Sequence, residues 1–225
     1  ARTAVMNNGV IYIARSEVKA AVVAPGDTVA QSVIYRLDAK TGAELPSLDV
    51  TLDGKPYGGL LAVNSIGRDN FGHVWVIPYT SEKAADIPVY TLNVETGELT
   101  LVTTLSKGDK IARVDYSDVI GDITREKAEC NIMAAASQAA TIYRWHADQG
   151  AEEFEGGFEG DLSLEITAFF PETVTLWGYA PVVKMCYDPA SETPYAGELF
   201  YIDGFNSVPA LYDVTGSLID SFEAV

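Results

Sequence analysis

The residues best suited to chemistry lie in the stretch VDYSDVIGDITRE at 114–126. Asp115, Asp118 and Asp122 place three carboxylates within eight residues, and Arg125 follows them. Such hard oxygen ligands can bind Ca²⁺, although their spacing is not that of the D-x-[DN]-x-[DN]-G calcium loop. Asp118 or Asp122 beside Arg125 could instead act as a general acid, since glycoside hydrolysis uses paired carboxylates. The favoured interpretation is a solvated loop.

A second candidate is the turn RDNFGH at 68–73, directly before the apolar segment VWV. One interpretation places Arg68 and His73 at the mouth of a channel, where they contact a ligand. In the favoured interpretation Asp69 is structural, because its carboxylate can accept hydrogen bonds from the backbone amides of its own turn.

The pair Trp145-His146 is a third candidate. By strand register Trp145 shares a face with Leu37 and Leu92, which favours a core position over a ligand platform. His146 lies on the opposite face, where it could titrate near neutral pH or meet a ligand. The candidate ligand-binding residues are therefore Arg68, His73, Trp145 and His146.

The glycine-rich acidic run FEGGFEGD at 154–161 is favoured as a flexible connection, with a Ca²⁺ site or a contact for a basic partner as the alternative. The sequence has no G-x-S-x-G, H-E-x-x-H, P-loop or C-x-x-C motif. Its two histidines exclude a multi-histidine metal site. We therefore predict no cofactor, with Ca²⁺ as the open alternative. Asp115, Asp118, Asp122 and Arg125 remain the alternative catalytic residues.

The strands that must position these residues belong to a sequence repeat. In VYTLNVETGELTL at 89–101, apolar and polar residues alternate on both sides of Thr96-Gly97, which predicts a β-hairpin. Related segments start at 34, 142 and 210. The register aligns one set of tyrosines and one set of glycines: Tyr35, Tyr90 and Tyr143, and Gly42, Gly97 and Gly150.

The repeat divides the chain into four units of four short strands, at about 1–50, 58–104, 110–156 and 160–222. AECNIMAAASQAA (128–140) is alanine-rich, but its position in the unit predicts a strand. LEITAFF (164–170) is assigned to the fourth unit. A period near 40–50 residues with four strands is typical of propeller blades, which bury their apolar faces by stacking. We therefore predict an all-β chain, 1–225, forming one β-propeller domain or a part of one.

Charge limits the partners. Residues 1–145 carry 17 acidic and 14 basic side chains, a balance of −3, whereas residues 146–225 carry 15 and 1, a balance of −14. This excess disfavours nucleic acid and anionic membranes. No apolar stretch approaches the roughly 18 residues of a membrane span, so no membrane insertion is predicted. Of the two cysteines, Cys130 and Cys186, buried unpaired thiols are favoured over a disulfide.

The forms YTLNVETGE (90–98) and YRLDAKTGAE (35–44) resemble blade hairpins of bacterial quinoprotein-like and YVTN-like propellers. RDNFGHVWV (68–76) resembles a D-x-x-G-x-hydrophobic-W-V segment of such blades. The whole chain resembles large secreted propellers of Bacteroides-type bacteria. The resemblance implies a fold and an address outside the cytoplasm: extracellular, periplasmic or on the outer cell surface. Such propellers usually have six to eight blades. Four units therefore indicate a four-bladed ring, a part of a larger propeller, or a homo-oligomer. The favoured interpretation is an incomplete propeller.

Two functions are consistent with these patterns. The favoured one is a non-catalytic binding or scaffolding propeller that recognises a glycan or a protein. The alternative is a carbohydrate-active hydrolase or lyase whose carboxylates face each other across a pocket.

Overall fold

A computed structural model of the chain describes residues 3–59, 62–81, 86–106, 113–136, 141–147, 149, 164–167, 182–186, 199–203, 210–213 and 218–221. All regular elements in these ranges are strands, which confirms the all-β prediction. The strands are β1 (Ala4–Asn7), β2 (Val10–Ala24), β3 (Asp27–Asp38), β4 (Glu44–Asp49), β5 (Thr51–Leu52), β6 (Lys55–Pro56), β7 (Ser65–Arg68), β8 (Val74–Ile77), β9 (Ile87–Leu92), β10 (Glu98–Leu105), β11 (Val114–Gly121), β12 (Cys130–Ala136), β13 (Thr141–Ala147), β14 (Leu164–Thr167), β15 (Val182–Cys186), β16 (Leu199–Asp203), β17 (Ala210–Asp213) and β18 (Leu218–Ser221). None of the ranges above contains a helix with the length and hydropathy needed to cross a bilayer.

The strands form four sheets, each built on four strands that follow one another in the chain. The first sheet has the order β1-β2-β3-β4, the third β11-β12-β13-β14 and the fourth β15-β16-β17-β18. The second has the order β6-β5-β10-β9-β8-β7, because the short β5–β6 hairpin adds to β10 through a parallel pairing. The predicted plan of four strands in each unit is therefore present.

The chain divides into two compact units. The first comprises Ala1–Tyr79 and Ile87–Thr104, and it holds the first two sheets. The second comprises Thr80–Asp86 and Leu105–Val225, and it holds the third and fourth sheets. Closure of the sheets into a ring and the assignment of one domain to 1–225 stay predictions.

The repeated hairpins form for a local reason. Oδ1 of Asp38 accepts hydrogen bonds from the backbone N–H of Lys40 and Thr41 and from the Thr41 hydroxyl. Oδ1 of Asn93 accepts equivalent bonds from Glu95 and Thr96. The glycine that follows each threonine has a positive φ, +72° at 42 and +83° at 97, and its N–H donates back to the Asp or Asn carbonyl. These side-chain-to-backbone bonds specify the turn without help from the rest of the chain.

The core of the first unit lies between its two sheets. Tyr12, Ala14 and Ile34 of the first sheet are at most 4% exposed. They cluster with Val76 and Tyr90 of the second sheet. Full burial of a valine or isoleucine side chain contributes roughly 1.5–3 kcal/mol to folding. One face of the first sheet therefore covers one face of the second.

In the second unit, the alanine-rich segment forms β12, as its position in the repeat predicted. Ile132 lies opposite Trp145 and Ala134 opposite Tyr143 in the β12–β13 ladder. All four are buried, and the small side chain of Ala134 fits opposite the Tyr143 ring. Cys130 is buried, and the side chain of Cys186 lies outside the described residues, so the state of the two thiols stays a prediction.

β2 and β3 extend to a tight turn at Pro25-Gly26, and alternating small and β-branched residues allow this length. Two local predictions differ from the structure. β14 pairs with β13 of the third sheet, although LEITAFF was assigned to the fourth unit. Segment 114–121 is the strand β11 and not a solvated loop, because pairing with β12 buries it.

Candidate functional site

Asp69 follows β7 and holds the turn that leads into β8. Its side chain is buried, and Oδ1 accepts hydrogen bonds from the N–H groups of Phe71 (2.9 Å) and His73 (2.8 Å). Oδ2 lies 2.7 Å from Nδ1 of His73. Hydrogen bonds to a charged group contribute roughly 1.5–3 kcal/mol. The structural role predicted for Asp69 is therefore confirmed.

The two candidate ligand-binding residues of this turn remain accessible. Arg68 is exposed, and its guanidinium lies over Gly72, 3.4 Å from the position that a Cβ would take there. The side chain of His73 is 33% exposed. A ligand can reach both residues, and their role in binding stays a prediction.

Asp122 occupies the same place in the third sheet, directly after β11. It is fully buried, and Oδ1 accepts hydrogen bonds from the Thr124 N–H (2.9 Å) and hydroxyl (2.6 Å). Oδ2 accepts from the Lys127 N–H at 2.8 Å. Arg125 is 2% exposed, has φ +60° and donates its N–H to the Asp122 carbonyl. The Asp122 carboxylate therefore stabilises the turn that follows β11.

Asp115 and Asp118 lie on β11 and are also buried. Asp115 accepts two hydrogen bonds from the Arg113 guanidinium, from Nε at 2.7 Å and from a terminal nitrogen at 2.6 Å. Asp118 accepts one from Nζ of Lys184 on β15 at 2.6 Å. In the described residues, Asp115, Asp118 and Asp122 do not come together as one set of metal ligands. Each carboxylate instead has a different partner: Arg113 for Asp115, Lys184 for Asp118 and the turn amides for Asp122.

A polar cluster, consisting of Glu129, Asn131, Arg144 and His146, lies on one face of the β12–β13 pair. Asn131 and His146 are direct cross-strand partners. Nδ1 of His146 lies 3.0 Å from Oδ1 of Asn131, and Nε2 lies 3.8 Å from Oε2 of Glu129. Because an amide oxygen only accepts, Nδ1 is the donor in this contact. The side chain of His146 is 37% exposed, so solvent reaches it.

Arg144 lies two residues before His146 and therefore on the same face of β13. Burial lowers the pKa of its guanidinium, and the charge of Glu129 partly offsets that effect. Its Nε is buried and has no hydrogen-bond partner in the part of the chain that the structure describes. The polar cluster thus combines carboxylate, amide, imidazole and guanidinium groups on one strand pair.

The aromatic candidate lies elsewhere. Trp145 is 3% exposed, and its indole N–H donates to the carbonyl of Ser106 at 3.1 Å. Its ring centroid lies 6.4 Å from that of Tyr143. Trp75 is 1% exposed. These positions agree with the core interpretation of Trp145, and neither ring presents a face for stacking on a sugar.

Glu129 and Asn131 are not among the candidate residues predicted from the sequence. The signal was present, because alternation along 130–136 and 141–147 places Asn131 on the same face as His146 once the two strands are paired. Finding the pair required the register of β12 against β13, which no local pattern fixes. The acidic run at 154–161 lies outside the described residues.

Comparison with known proteins gives a fold and no family. No protein-family model matches the chain, and no curated protein matches it. A periplasmic gluconolactonase of Pseudomonas aeruginosa is similar in structure, with a TM-score of 0.50, 14% identity, and coverage of 99% of this chain and 57% of that chain. The structure of U3-55K matches with a TM-score of 0.39, 12% identity, and coverage of 92% of this chain and 64% of that chain.

The gluconolactonase likeness concerns the fold alone, and it supports a β-propeller-like, all-β architecture. This chain spans a little over half the length of that protein. The comparisons do not support the narrower resemblance to secreted propellers of Bacteroides-type bacteria, and it stays a prediction.

Proposed function

We propose that the chain is a non-catalytic binding module of β-propeller type that recognises a glycan outside the cytoplasm through the polar cluster. The observation that carries the proposal is the arrangement of Glu129, Asn131, Arg144 and His146 on one strand pair. Sugar hydroxyls both donate and accept hydrogen bonds, so planar polar side chains with fixed donors and acceptors suit them. Arg144, which is half-buried, adds a guanidinium with a fixed fork of donors to the same face.

The state of the carboxylates favours binding over hydrolysis. A general acid needs a carboxylate that can take up and release a proton next to the substrate. Asp69 and Asp122 instead hold turns through backbone amides. Asp115 is engaged by Arg113. Two of the three candidate carboxylates, Asp115 and Asp122, are thus bound to structural partners.

A location outside the cytoplasm is part of the proposal. The similar gluconolactonase is periplasmic, which supports a location outside the cytoplasm. Glycans of the cell envelope and of the surroundings are available there. A protein is the alternative ligand, and an array without any bound glycan would favour it over a glycan.

The experiment is a glycan array followed by titration calorimetry with the best glycan. His146→Ala and Asn131→Ala should each weaken binding about tenfold, the effect of losing roughly 1.4 kcal/mol of hydrogen bonding. Thr100→Ala, an exposed threonine on β10, is the matched control and should bind like the wild type. An array without any bound glycan, or equal weakening by Thr100→Ala, would contradict the proposal.

A hydrolase is the second candidate, and one observation favours it. Asp118 lies 2.6 Å from the Lys184 ammonium, and the similar structure belongs to an enzyme named for acting on gluconolactone. A carboxylate next to a lysine can serve in acid–base chemistry. Lactone and glycoside hydrolysis should be measured by proton release. Turnover that is lost in Asp118→Asn would favour the enzyme, whereas no release above the buffer rate would favour the binding module.

A further inference from the structure

The first unit contains two hairpin turns of the same kind, and each consists of two residues that end in glycine. Asn8-Gly9 joins β1 to β2, and Asp53-Gly54 joins β5 to β6. All four residues are exposed, and each has a positive φ, between +48° and +78°. Two positive φ values in succession define the type I′ turn that Asn-Gly and Asp-Gly favour. The two turns therefore share one backbone form, and their surroundings can be compared directly.

Asn-Gly and Asp-Gly pairs share an intrinsic reaction. The backbone nitrogen of the glycine attacks Cγ of the preceding side chain and closes a five-membered succinimide ring. An asparagine loses ammonia in this step and an aspartic acid loses water, and either leaving group takes the proton of the glycine nitrogen. A water molecule then opens the ring at one of its two carbonyls, which gives aspartate or isoaspartate. Glycine favours ring closure because it has no side chain to hinder the approach.

The nitrogen of Gly54 is held by a carboxylate. Its N–H donates to Oε1 of Glu98 at 3.0 Å. The Thr51 hydroxyl donates to Oε2 of the same side chain, which fixes the carboxylate beside the turn. A negative acceptor stabilises the proton on the nitrogen that it contacts, so Gly54 is a poor nucleophile.

The nitrogen of Gly9 lacks such an acceptor. No residue in the described ranges forms a hydrogen bond with the Gly9 N–H or with the side-chain amide of Asn8. Ala39 donates its N–H to the Gly9 carbonyl at 2.8 Å, a bond that leaves the nitrogen accessible. The attacking nitrogen and the amide that it attacks are therefore both exposed to solvent and unrestrained by hydrogen bonds.

The other asparagines of the described ranges each lack one of these conditions. Asn93 uses Oδ1 to hold the amides of its own turn. Asn70 precedes Phe71, whose N–H already donates to a carboxylate. Three more are at most 6% exposed: Asn7, Asn64 and Asn131. Asn8 is also the only asparagine in the sequence that a glycine follows.

We infer that Asn8 is a site of spontaneous deamidation and that Glu98 shields the equivalent turn at Asp53-Gly54 from the same ring closure. Isoaspartate at position 8 would add one atom to the backbone between Asn7 and Val10, which are paired. β1 is a four-residue strand at the edge of its sheet, so this lengthening should loosen its register with β2. The inference is independent of the proposed glycan site, because every residue that it uses lies in the first unit.

The test compares the two turns within one molecule. Asp53→Asn places an Asn-Gly pair in both turns, and the folded variant is incubated at mildly alkaline pH. Peptide mapping with fragmentation measures the conversion of amide to acid at each position, and enzymatic methylation detects isoaspartate. We expect conversion at position 8 to be at least about tenfold faster than at position 53, because the hydrogen bond to Glu98 must break first. Equal rates at the two positions would overturn the shielding by Glu98.

Two further variants assign the protection to Glu98. In the Asp53→Asn background, Glu98→Ala should speed conversion at position 53 at least about tenfold, whereas Glu98→Gln, which keeps an acceptor oxygen, should restore most of the protection. Glu95→Ala is the matched control, since Glu95 is an exposed glutamate on the same β9–β10 hairpin. Acceleration by Glu95→Ala equal to that by Glu98→Ala would contradict the assignment. Melting curves before incubation show which variants are folded, and the comparison of the two turns needs only Asp53→Asn.

The consequence for the hairpin is measured on the chain without Asp53→Asn. The Tm of the wild type should fall as position 8 converts. Asn8→Gly tolerates the positive φ and has no amide to lose, so its Tm should stay constant during the same incubation. A wild type whose Asn8 is not converted while the chain is folded overturns the inference. A fall in Tm that Asn8→Gly shares would contradict the link between deamidation and the loosening of β1.

Discussion

Two glycines at equivalent positions of the repeat should respond very differently to the same substitution. Gly42 and Gly97 both follow the threonine of a hairpin turn and have φ +72° and +83°. A Cβ on Gly42 would have no atom within 4 Å, whereas a Cβ on Gly97 would overlap the carbonyl of Asp49. Gly97 also accepts a hydrogen bond from the Thr51 N–H through its carbonyl. The turn at Gly97 is therefore packed against the chain that leaves the first sheet.

The expected loss of stability has two causes, the left-handed backbone at both glycines and the close backbone contact at Gly97. An alanine in the left-handed region costs about 1–2 kcal/mol, and Gly42→Ala should lose about that much stability. Gly97→Ala adds the cost of moving backbone in a packed contact, about 1–3 kcal/mol more. For a chain of this size 1 kcal/mol corresponds to about 2–4 °C in Tm, so the Tm of Gly97→Ala should lie about 2–12 °C below that of Gly42→Ala. Circular dichroism melts measure both values. Equal Tm values for the two variants would refute the proposed packing at Gly97.

Two further predictions concern hydrogen-bonded carboxylates. Asp122→Ala should destabilise the chain by about 2–4 kcal/mol, because Thr124 and Lys127 lose the acceptor of their N–H groups; urea unfolding measures this, and an unchanged midpoint would contradict it. The Thr51 hydroxyl and then the Gly54 N–H hold the pKa of Glu98 below its ordinary value of 4.5. The stability from Glu98 is therefore present above pH 4.5 and is lost as the pH falls through the lower folded value. Glu98→Gln should flatten this acid limb of the urea midpoint against pH, and an acid limb as steep as that of the wild type would contradict the assignment.

The sequence predicted the hairpins at 34–45 and 89–101 correctly because their hydrogen bonds are local. Asp38 and Asn93 form their turns with residues two and three positions away. The local sequence pattern is therefore sufficient to predict these turns. The strand at Cys130–Ala136 was predicted from its place in the repeat, against the helix propensity of its alanines. The β5–β6 hairpin was missed although Asp53-Gly54 is a strong turn signal. Its parallel pairing with β10 is long-range and cannot be read from that signal.

The site was harder to predict than the fold. Asp115 and Asp118 were interpreted as loop residues because they are polar, yet each is buried with a basic partner, Arg113 or Lys184. The Lys184 partner lies 66 residues away in sequence, so no local rule could find it. The Asx role of Asp69 was predictable, since both amides that it binds lie within four residues.

The most direct test of the binding proposal uses the fact that the chain has two histidines. Proton NMR should show two sets of imidazole C–H signals, which a His73→Gln variant assigns. Titration with the glycan selected on the array should shift the signals of His146 and leave those of His73 unchanged, while the glycan's own anomeric signals stay constant over time. Shifts confined to His73, no shift at either histidine, or the growth of hydrolysis products would contradict a non-catalytic glycan site at the polar cluster.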